Sequence, residues 1–193
     1  EITTRLVGSE MCIRDSNMGS NNDISLKALA KINLGLDVVR RREDGYHEVR
    51  MIMQTIHLYD RLDIKRTKEP GIQIQTNLSF LPVNENNLIY KAAKLLMDEF
   101  SITDGVSVKL DKRIPVAAGM AGGSTDAAAM LIGVNRLFSL GLTKRELMER
   151  GVQIGADVPY CIMRGTALAE GIGEALSPLP PMVTVSYTHL TLP

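Results

Sequence analysis

The feature that most constrains this 193-residue sequence is a glycine-rich stretch between Pro115 and Ala129. Gly119, Gly122 and Gly123 lie close together there, and an alanine-rich apolar run follows them. Glycine allows the backbone to turn its N–H groups toward a ligand, and the first turn of a helix adds free N–H donors and a positive dipole end. The stretch therefore predicts a loop that opens a helix and binds an anion, most often a phosphate group.

The residues just after the glycines predict where this helix begins. Ser124, Thr125 and Asp126 have side chains that cap helix N-termini, so we expect the helix to begin near Ser124. The loop differs from the common P-loop because no Lys-Ser or Lys-Thr pair follows the glycines, and its spacing also differs from the dinucleotide fingerprint. A plain structural connection between a strand and a helix is the alternative interpretation of the same residues.

The charge balance and the cysteine content exclude several classes of protein. The chain has 22 basic and 22 acidic side chains, so its formal net charge of zero gives no electrostatic basis for binding nucleic acid or an anionic membrane. The two cysteines, Cys12 and Cys161, lie far apart, which argues against a disulfide framework or a zinc site. No apolar run approaches the length of a membrane span and the N-terminus lacks the pattern of a signal peptide, so we expect a cytoplasmic protein.

Both ends of the chain differ in character from the middle. Residues 1–16 and 185–193 resemble translated sequencing-library adapter, and Met18 is a plausible native start. We therefore divide the chain into a non-native or disordered tail over residues 1–20, one domain over residues 21–182, and a second non-native tail over residues 183–193. With 45% hydrophobic residues, a chain of this length can bury a full core.

Hydrophobic periodicity predicts strands first and helices later. The expected strands are Ile24–Val39, Met51–Leu58, Arg61–Lys65, Ile72–Thr76 and Val106–Leu110. The expected helices are Leu88–Phe100, Ala127–Leu140 with Gly141 as its C-terminal signal, and a third that starts at the capping box Thr143–Glu146 and ends near Ile154. A turn, an apolar run and a glycine-punctuated hairpin follow, up to Pro178. This order is typical of an α+β fold with helices packed on one face of a sheet.

Two charged residues are candidates for catalysis. Lys31 lies in a predicted strand with Asn33 on the same face, and a fixed ammonium there suits a transferred phosphoryl group. Asp157, in the apolar segment Gly155–Pro159, suits a general base for a substrate hydroxyl. The structural alternatives are an edge-strand lysine and a solvated or helix-capping aspartate. Asp126 competes for the role of base, although its position after Ser-Thr favours a helix-start role.

An aromatic residue beside a histidine gives a candidate binding site. Tyr46 and His47 follow an Asp-Gly turn, and the pair suits stacking on a flat ring and hydrogen bonding to its edge. A partly buried aromatic in a turn is the alternative interpretation.

Together these motifs resemble the GHMP kinase superfamily. The resemblance rests on Ala30–Leu34, Asp44–His47, Pro115–Ala129, Gly155–Pro159 and Ala169–Gly173, and it extends over about residues 24–182. The glycine-rich loop marks the superfamily. Asp-Gly-Tyr-His and Gly-Ala-Asp-Val-Pro mark one branch of it, in which ATP phosphorylates a cytidine-diphosphate-linked sugar alcohol in the non-mevalonate isoprenoid pathway. The implied fold is α+β, with an N-terminal domain of the ribosomal protein S5 domain 2-like type and a second, ferredoxin-like domain.

The resemblance implies ATP and Mg²⁺ as cofactors and assigns roles residue by residue. Lys31 and Asp157 would be the catalytic pair, with Asp157 as the base. Asn33, Tyr46, His47 and Ile172 would bind the small-molecule substrate, with Tyr46 against the cytosine. Ser124 is a candidate magnesium ligand. ATP would contact Asn87, Leu88, Lys112, Pro115, Val116, Ala117, Ala118, Gly119, Met120, Ala121, Gly122, Gly123, Ser124 and Thr125.

The sequence departs from the superfamily pattern after residue 182. The ferredoxin-like domain, which would supply a further glycine-rich segment near the phosphates and an aromatic wall for the cytosine, is missing from it. We therefore expect the chain as printed to be a fragment that is inactive or nearly so. Two other functions stay open, namely a GHMP kinase acting on homoserine or a mevalonate-type alcohol, and a non-catalytic binding protein on the same fold.

Overall fold

The computed structural model describes residues 22–182, with the exception of residues 42, 44 and 46. In this part of the chain the strands are β1 (Asp23–Arg41), β2 (His47–Thr67), β3 (Ile72–Thr76), β4 (Gly105–Asp111), β5 (Thr166–Glu170) and β6 (Ala175–Leu179). The helices are α1 (Leu88–Glu99), α2 (Gly122–Leu137), α3 (Lys144–Gly151) and α4 (Val158–Met163). The predicted α+β class is confirmed.

One long strand, β2, organises the sheet. The described residues form a six-stranded sheet in the order β3-β4-β2-β5-β6, with β1 paired to β2. The C-terminal half of β2 pairs with β4, where Leu62 faces Leu110, and the N-terminal half pairs with β5, where Met53 faces Ala167. Neighbouring strands are antiparallel except for β3 and β4, which are parallel. Strand β2 therefore connects β4, which leads into the glycine-rich loop, to the β5–β6 hairpin.

The prediction of two strands over Met51–Leu58 and Arg61–Lys65 is wrong, because β2 continues through both. Asp60, a polar residue that falls between the two predicted strands, is fully buried on the same face as Leu62 and Ile64. Its carboxylate accepts hydrogen bonds from backbone N–H groups of a neighbouring segment. A buried carboxylate with partners of this kind is compatible with the interior of a strand.

The core lies between the sheet and the helices. Burial alternates along β4, where Val106 and Val108 are buried and Lys109 is exposed, so one face of the sheet is covered and the other is solvated. Helix α2 packs against α1, β1 and β2. A Cβ added to Gly133 of α2 would lie 2.3 Å from Cδ1 of Ile64, so glycine at this position allows the helix to approach the sheet.

Helix α2 begins earlier than predicted. It starts at Gly122 rather than near Ser124, and its N-cap, Ala121, is left-handed (φ 56°) and makes no side-chain capping bond within the described structure. Ser124, Thr125 and Asp126 lie inside the first turns of the helix, so the prediction that they cap it is wrong. Thr125 and Asp126 have tertiary partners instead, and these compete successfully with the local capping geometry.

Helix α2 also ends earlier than predicted, at Leu137 rather than at Leu140. Ser139 adopts the left-handed conformation (φ 50°), and the Leu140 N–H donates to the Asn135 carbonyl at 2.9 Å. These are the features of a Schellman motif, whose left-handed residue lies two positions before Gly141. The predicted glycine stop is therefore misplaced, because a serine already supplies the left-handed residue.

The remaining helices follow the predicted order. Thr143 and Glu146 form the predicted capping box of α3, which ends at Gly151 rather than near Ile154. The apolar run after Gly155 is the short helix α4, and the predicted hairpin is β5–β6. Within the part of the chain that the structure describes, every helix is too short or too polar to cross a membrane.

Candidate active site

A cleft of about 540 Å³ lies beside the glycine-rich loop, which we define as residues 115–121. Its walls come from this loop and the first turn of α2, from β1, and from the segments that precede α1 and α4. The lining residues are Lys31, Asn33, Leu81, Pro82, Asn86, Asn87, Leu88, Leu110, Lys112, Pro115, Val116, Ala117, Ala118, Gly119, Met120, Ala121, Gly122, Gly123, Ser124, Asp126 and Asp157. The cleft thus brings together residues from widely separated parts of the sequence.

The backbone of the glycine-rich loop is turned by three left-handed residues at every second position. These are Ala117 (φ 59°), Gly119 (φ 71°) and Ala121 (φ 56°). Left-handed residues that alternate with others turn N–H groups to one side and form an anion-binding nest. Residues 115–119 are exposed, and the positive dipole end of α2 begins directly after the loop. The geometry therefore suits a phosphate group.

Lys31 and Asp157 meet in the cleft, although they lie far apart in the sequence. The Lys31 Nζ is 3.7 Å from Asp157 Oδ1 and donates a hydrogen bond to Asn33 Oδ1 at 2.9 Å. The Lys31 side chain is 6% exposed and that of Asp157 is 31% exposed. Asp157 occupies the N-cap of α4, but its carboxylate makes no capping bond to the described residues. An ammonium and an accessible carboxylate are therefore held side by side. Such a pair suits phosphoryl transfer, because the ammonium can stabilise a phosphoryl group while the carboxylate accepts a proton from a hydroxyl.

A β-bulge in β1 connects Lys31 to the glycine-rich loop. The pairing of β1 with β2 shifts register between Leu29 and Lys31, and a shift of this kind removes backbone groups from the ladder. The Lys31 N–H donates to the Met120 carbonyl at 3.2 Å, and the Thr125 hydroxyl donates to the Leu29 carbonyl at 2.8 Å. Strand, loop and helix are thus bonded to one another where Lys31 enters the cleft.

Helix α4, which follows Asp157, is fixed to the sheet by Tyr160. The Tyr160 hydroxyl donates to the Gly165 carbonyl at 2.7 Å and lies 3.0 Å from the Thr55 hydroxyl. Thr55 is also the pairing partner of Lys31 in the sheet. Burial raises the pKa of Tyr160 to about 12, so the phenol keeps its proton into the alkaline range. The same part of β2 therefore supports both Lys31 and the helix behind Asp157.

A second lysine of the cleft, Lys112, belongs to a buried ionic cluster. Its Nζ lies 2.5 Å from Asp60 Oδ2 and 2.7 Å from Asp126 Oδ2, and no side chain of the three is more than 4% exposed. Burial raises the pKa of Asp126 well above its usual range, against the opposing effect of Lys112. The expectation that Asp126 has a helix-start role is therefore wrong, because its carboxylate is directed to a lysine.

The sequence interpretation missed Asp60 as a member of this cluster. A signal was present, because Asp60 continues the two-residue period of the buried residues Leu62 and Ile64. A carboxylate on the apolar face of a strand indicates a buried partner. The interpretation also missed four other residues that line the cleft, for which the local sequence carries no comparable signal. They are Leu81, Pro82, Asn86 and Leu110.

The residues expected to bind ATP line the cleft, with one exception. Thr125 is buried, and its hydroxyl is bonded to the backbone of β1 rather than directed into the cleft. Asn87 is the N-cap of α1, where its Oδ1 accepts from the Ile89 N–H at 2.9 Å and its Nδ2 donates to the Pro82 carbonyl at 2.7 Å. Asn87 therefore shapes the cleft wall, next to Leu88.

The residues expected to bind the substrate fall into two places. Asn33 lines the cleft beside Lys31. His47 is exposed at the start of β2, and Ile172 is half-buried in the β5–β6 turn. The Val49 N–H donates to the carbonyl of Gly171, which brings the start of β2 against that turn. Tyr46 lies outside the described residues.

The structure gives limited support for a metal site. Residues 22–182, with the exception of residues 42, 44 and 46, contain no group of three or more His, Cys, Asp or Glu side chains that could hold a metal ion. Mg²⁺ in nucleotide sites takes most of its oxygen ligands from phosphates and water and only one or two from the protein. The Ser124 hydroxyl and the Asp157 carboxylate, which both lie in the cleft, are ligands of the right chemistry for that smaller role.

Comparison with known proteins gives a consistent family. The model of the GHMP kinases N terminal domain matches residues 87–165, which contain the glycine-rich loop and Asp157. A 4-diphosphocytidyl-2-C-methyl-D-erythritol kinase of Lachnoclostridium phytofermentans is 65% identical over 158 residues, which are 82% of this chain and 54% of that protein. The enzyme of the same name from Alkaliphilus oremlandii is 54% identical over 170 residues, 88% of this chain and 58% of that protein. The chain spans about half the length of the curated relatives it matches.

Solved structures agree with this comparison. A crystal structure of 4-(cytidine 5'-diphospho)-2C-methyl-D-erythritol kinase superposes with a TM-score of 0.71 at 38% identity, covering 81% of this chain and 55% of the other. The mevalonate kinase of Methanococcus jannaschii superposes with a TM-score of 0.65 at 17% identity, covering 85% of this chain and 57% of the other. At that identity the second likeness shows the fold alone.

Proposed function

This chain carries the N-terminal domain of the GHMP kinases, and from that premise we propose that it is the ATP-binding part of a small-molecule kinase. The proposed reaction is the ATP-dependent phosphorylation of the 2-hydroxyl of 4-diphosphocytidyl-2-C-methyl-D-erythritol, a step of isoprenoid biosynthesis. The observation that carries the proposal is the 3.7 Å contact between Lys31 and Asp157 beside the glycine-rich loop. The names of the relatives at 54–65% identity support the choice of substrate.

The proposed mechanism uses Asp157 as the general base and Lys31 as a fixed charge. The Asp157 carboxylate accepts the proton of the substrate hydroxyl while that oxygen attacks the γ-phosphorus of ATP and the bond to the ADP oxygen breaks. The Lys31 ammonium, which is bonded to Asn33, stabilises the negative charge on the transferred group. The loop amides and the dipole of α2 hold the remaining phosphates.

The cofactor and substrate contacts complete the proposal. Mg²⁺ supplies charge neutralisation on the ATP phosphates, and Ser124 is its candidate protein ligand. Asn87 and Leu88 lie where the cleft wall meets α1 and would contact the nucleoside. Tyr46, His47 and Ile172 would contact the cytidine end of the substrate, since the turn that carries Ile172 lies against the start of β2.

The test is a product assay on two proteins. One is the 193-residue chain, and the other is a chimaera in which residues 22–182 replace the matching segment of the L. phytofermentans relative. With ATP and Mg²⁺, the chimaera should phosphorylate 4-diphosphocytidyl-2-C-methyl-D-erythritol but not homoserine or mevalonate. Phosphorylation of one of the other alcohols would overturn the substrate, and binding of ATP without any product would favour a non-catalytic protein. Little or no product is expected from the 193-residue chain alone.

A further inference from the structure

The segments on either side of the glycine-rich loop are connected through the ammonium of one buried lysine, Lys112, which donates to Asp60 and Asp126. We propose that Asp60, Lys112 and Asp126 form an ionic cluster that positions this loop for phosphate binding. In this proposal Lys112 acts through the loop and is not a direct ligand of the nucleotide. The inference rests on the proposed binding of ATP in the cleft.

The segment that leads into the loop is fixed through three successive backbone N–H groups. The Lys112 N–H donates to Asn77 Oδ1 at 2.8 Å. The N–H groups of Arg113 and Ile114 both donate to Asp60 Oδ1, at 2.5 and 2.8 Å. Asn77 also donates through Nδ2 to the Lys112 carbonyl at 3.1 Å. The backbone is therefore held in one conformation immediately before the loop begins.

The segment that follows the loop is fixed to the same lysine. Asp126 lies in the first turns of α2, and its Oδ2 accepts from the Lys112 Nζ at 2.7 Å, while Asp60 Oδ2 accepts from the same nitrogen at 2.5 Å. The ammonium lies so close to the helix start that a Cβ added to Gly122 would be 2.8 Å from it. One ammonium group thus connects the two ends of the loop, and glycine at position 122 leaves room for it.

The loop between these ends needs such support. Ala117 and Ala121 are left-handed, and this conformation costs an L-residue with a Cβ free energy that the surrounding structure must offset. Residues 115–119 are exposed and have few packing contacts of their own to supply it. Fixed ends keep the loop in the strained conformation that turns its N–H groups toward an anion.

The charges of the cluster argue against Lys112 as a direct phosphate ligand. Two of its three N–H donors are directed to carboxylates, and its side chain is only 4% exposed. A lysine that shares its charge with two buried carboxylates presents little positive potential to the cleft. Lys112 lines the cleft, but its ammonium already donates to both Asp60 and Asp126.

The experiment uses two substitutions of Asp126 in the 193-residue chain. Asp126→Leu removes the acceptor at similar size, whereas Asp126→Asn keeps an oxygen that can accept from Lys112. In Asp126→Leu without ligand, amide hydrogen exchange of residues 116–121 should become roughly tenfold faster while exchange in α1 stays unchanged. The Kd for ATP should rise by roughly tenfold, while the Kd for adenosine, which has no phosphate, should not change. Asp126→Asn should restore most of both properties.

Two further variants control the experiment. Asp111→Leu makes the same substitution at an exposed ion pair of similar length, 2.6 Å between Asp111 Oδ2 and Arg113 Nη2, and it should change neither property. Asn77→Ala removes the bonds to the Lys112 backbone without altering the buried charges. Like Asp126→Leu, it should make amide exchange of the loop faster and raise the Kd for ATP. It replaces Asp126→Leu in the experiment if that variant does not fold.

Two results would overturn the proposal. The first is an amide hydrogen exchange rate in the loop that stays at the wild-type value in the folded Asp126→Leu or Asn77→Ala variant. The second is tighter binding of ATP by Asp126→Leu, which would show that the released Lys112 contacts phosphate directly. If the wild-type chain binds no ATP, the proposed function fails for this chain, while the exchange of the loop in the ligand-free variants still decides whether the cluster positions it.

Discussion

The cleft contains two lysines that are almost equally buried and differ in their partners. Lys112 lies between two buried carboxylates, with N–O distances of 2.5 and 2.7 Å. Among the described residues, Lys31 has one carboxylate at 3.7 Å, on an aspartate that is 31% exposed, and a neutral amide oxygen at 2.9 Å. Lys112 connects elements of the fold to one another. Lys31 connects the fold to the space in which a ligand would lie.

The partners of a buried ammonium indicate whether its role is structural or catalytic. A buried ammonium surrounded by close carboxylates is compensated, and removing it leaves those carboxylates without a counter-charge. A buried ammonium with one longer and partly solvated contact retains attraction for a further anion. On this basis Lys112 should matter most for stability and loop geometry, and Lys31 for catalysis.

The largest effect is expected from the aspartate beside Lys31. Asp157→Asn in the chimaera keeps the shape of the side chain but removes the base, so turnover should fall by roughly 10²–10⁴-fold. The Kd for ATP should stay close to that of the parent, because the loop and the Lys112 cluster are untouched. Steady-state kinetics and nucleotide titration measure the two quantities. Turnover close to that of the parent would remove Asp157 from the mechanism and leave Lys31 without a catalytic partner.

The second prediction compares the two lysines directly by their effect on stability. Lys112→Met leaves Asp60 and Asp126 buried without a counter-charge, and we expect the free energy of unfolding to fall by about 3–5 kcal/mol. Lys31→Met breaks the partly exposed contact with Asp157 and one hydrogen bond to the neutral Asn33 side chain, and the expected loss is about 1–2 kcal/mol. Urea denaturation of the 193-residue chain measures both. Equal losses for the two variants would contradict the distinction drawn between the lysines.

The sequence predicts the pair of Lys31 and Asp157 better than it predicts the cluster around Lys112. The glycine-rich loop, the capping box of α3 and the α+β class follow from local patterns, and these are confirmed. The candidates Lys31 and Asp157 also came from short motifs, and the structure places them in contact. Their catalytic roles stay predictions.

The Lys112 cluster could not be predicted from the sequence, because its three members come from different parts of the chain and only the fold brings them together. Asp60 falls between the two strands that the hydrophobic pattern predicts, whereas its backbone continues β2 and its carboxylate holds the segment before the loop. Thr125 and Asp126 have strong capping propensity, and local reasoning assigned them to a helix start. Their actual partners, Leu29 and Lys112, are distant in the chain or on another element. Local propensity cannot report such contacts.

The third prediction concerns the hydrogen bond that holds Lys31 in place. Thr125→Val keeps the side-chain shape but leaves the Leu29 carbonyl without its donor, which should cost about 1–3 kcal/mol of stability. In the chimaera kcat should fall while the KM for ATP changes little, because the bond supports β1 rather than the ionic cluster. Thr125→Ser restores the hydroxyl and should restore kcat. A rise in the KM for ATP alone would place Thr125 with Lys112 instead.

The smallest effect is expected where an ion pair is short but exposed. Asp111 Oδ2 lies 2.6 Å from Arg113 Nη2, close to the 2.7 Å between Lys112 Nζ and Asp126 Oδ2. The Asp111 and Arg113 side chains, however, are 38% and 55% exposed. Water screens such a pair and solvates each partner after the other is removed, so Asp111→Asn should leave the urea midpoint of the 193-residue chain unchanged within error. Lys112→Met and Asp111→Asn therefore compare burial at nearly constant distance. If Asp111→Asn proved as destabilising as Lys112→Met, distance rather than burial would set the strength of these contacts. The Lys112 cluster would then contribute no more to stability than the ion pairs on the surface.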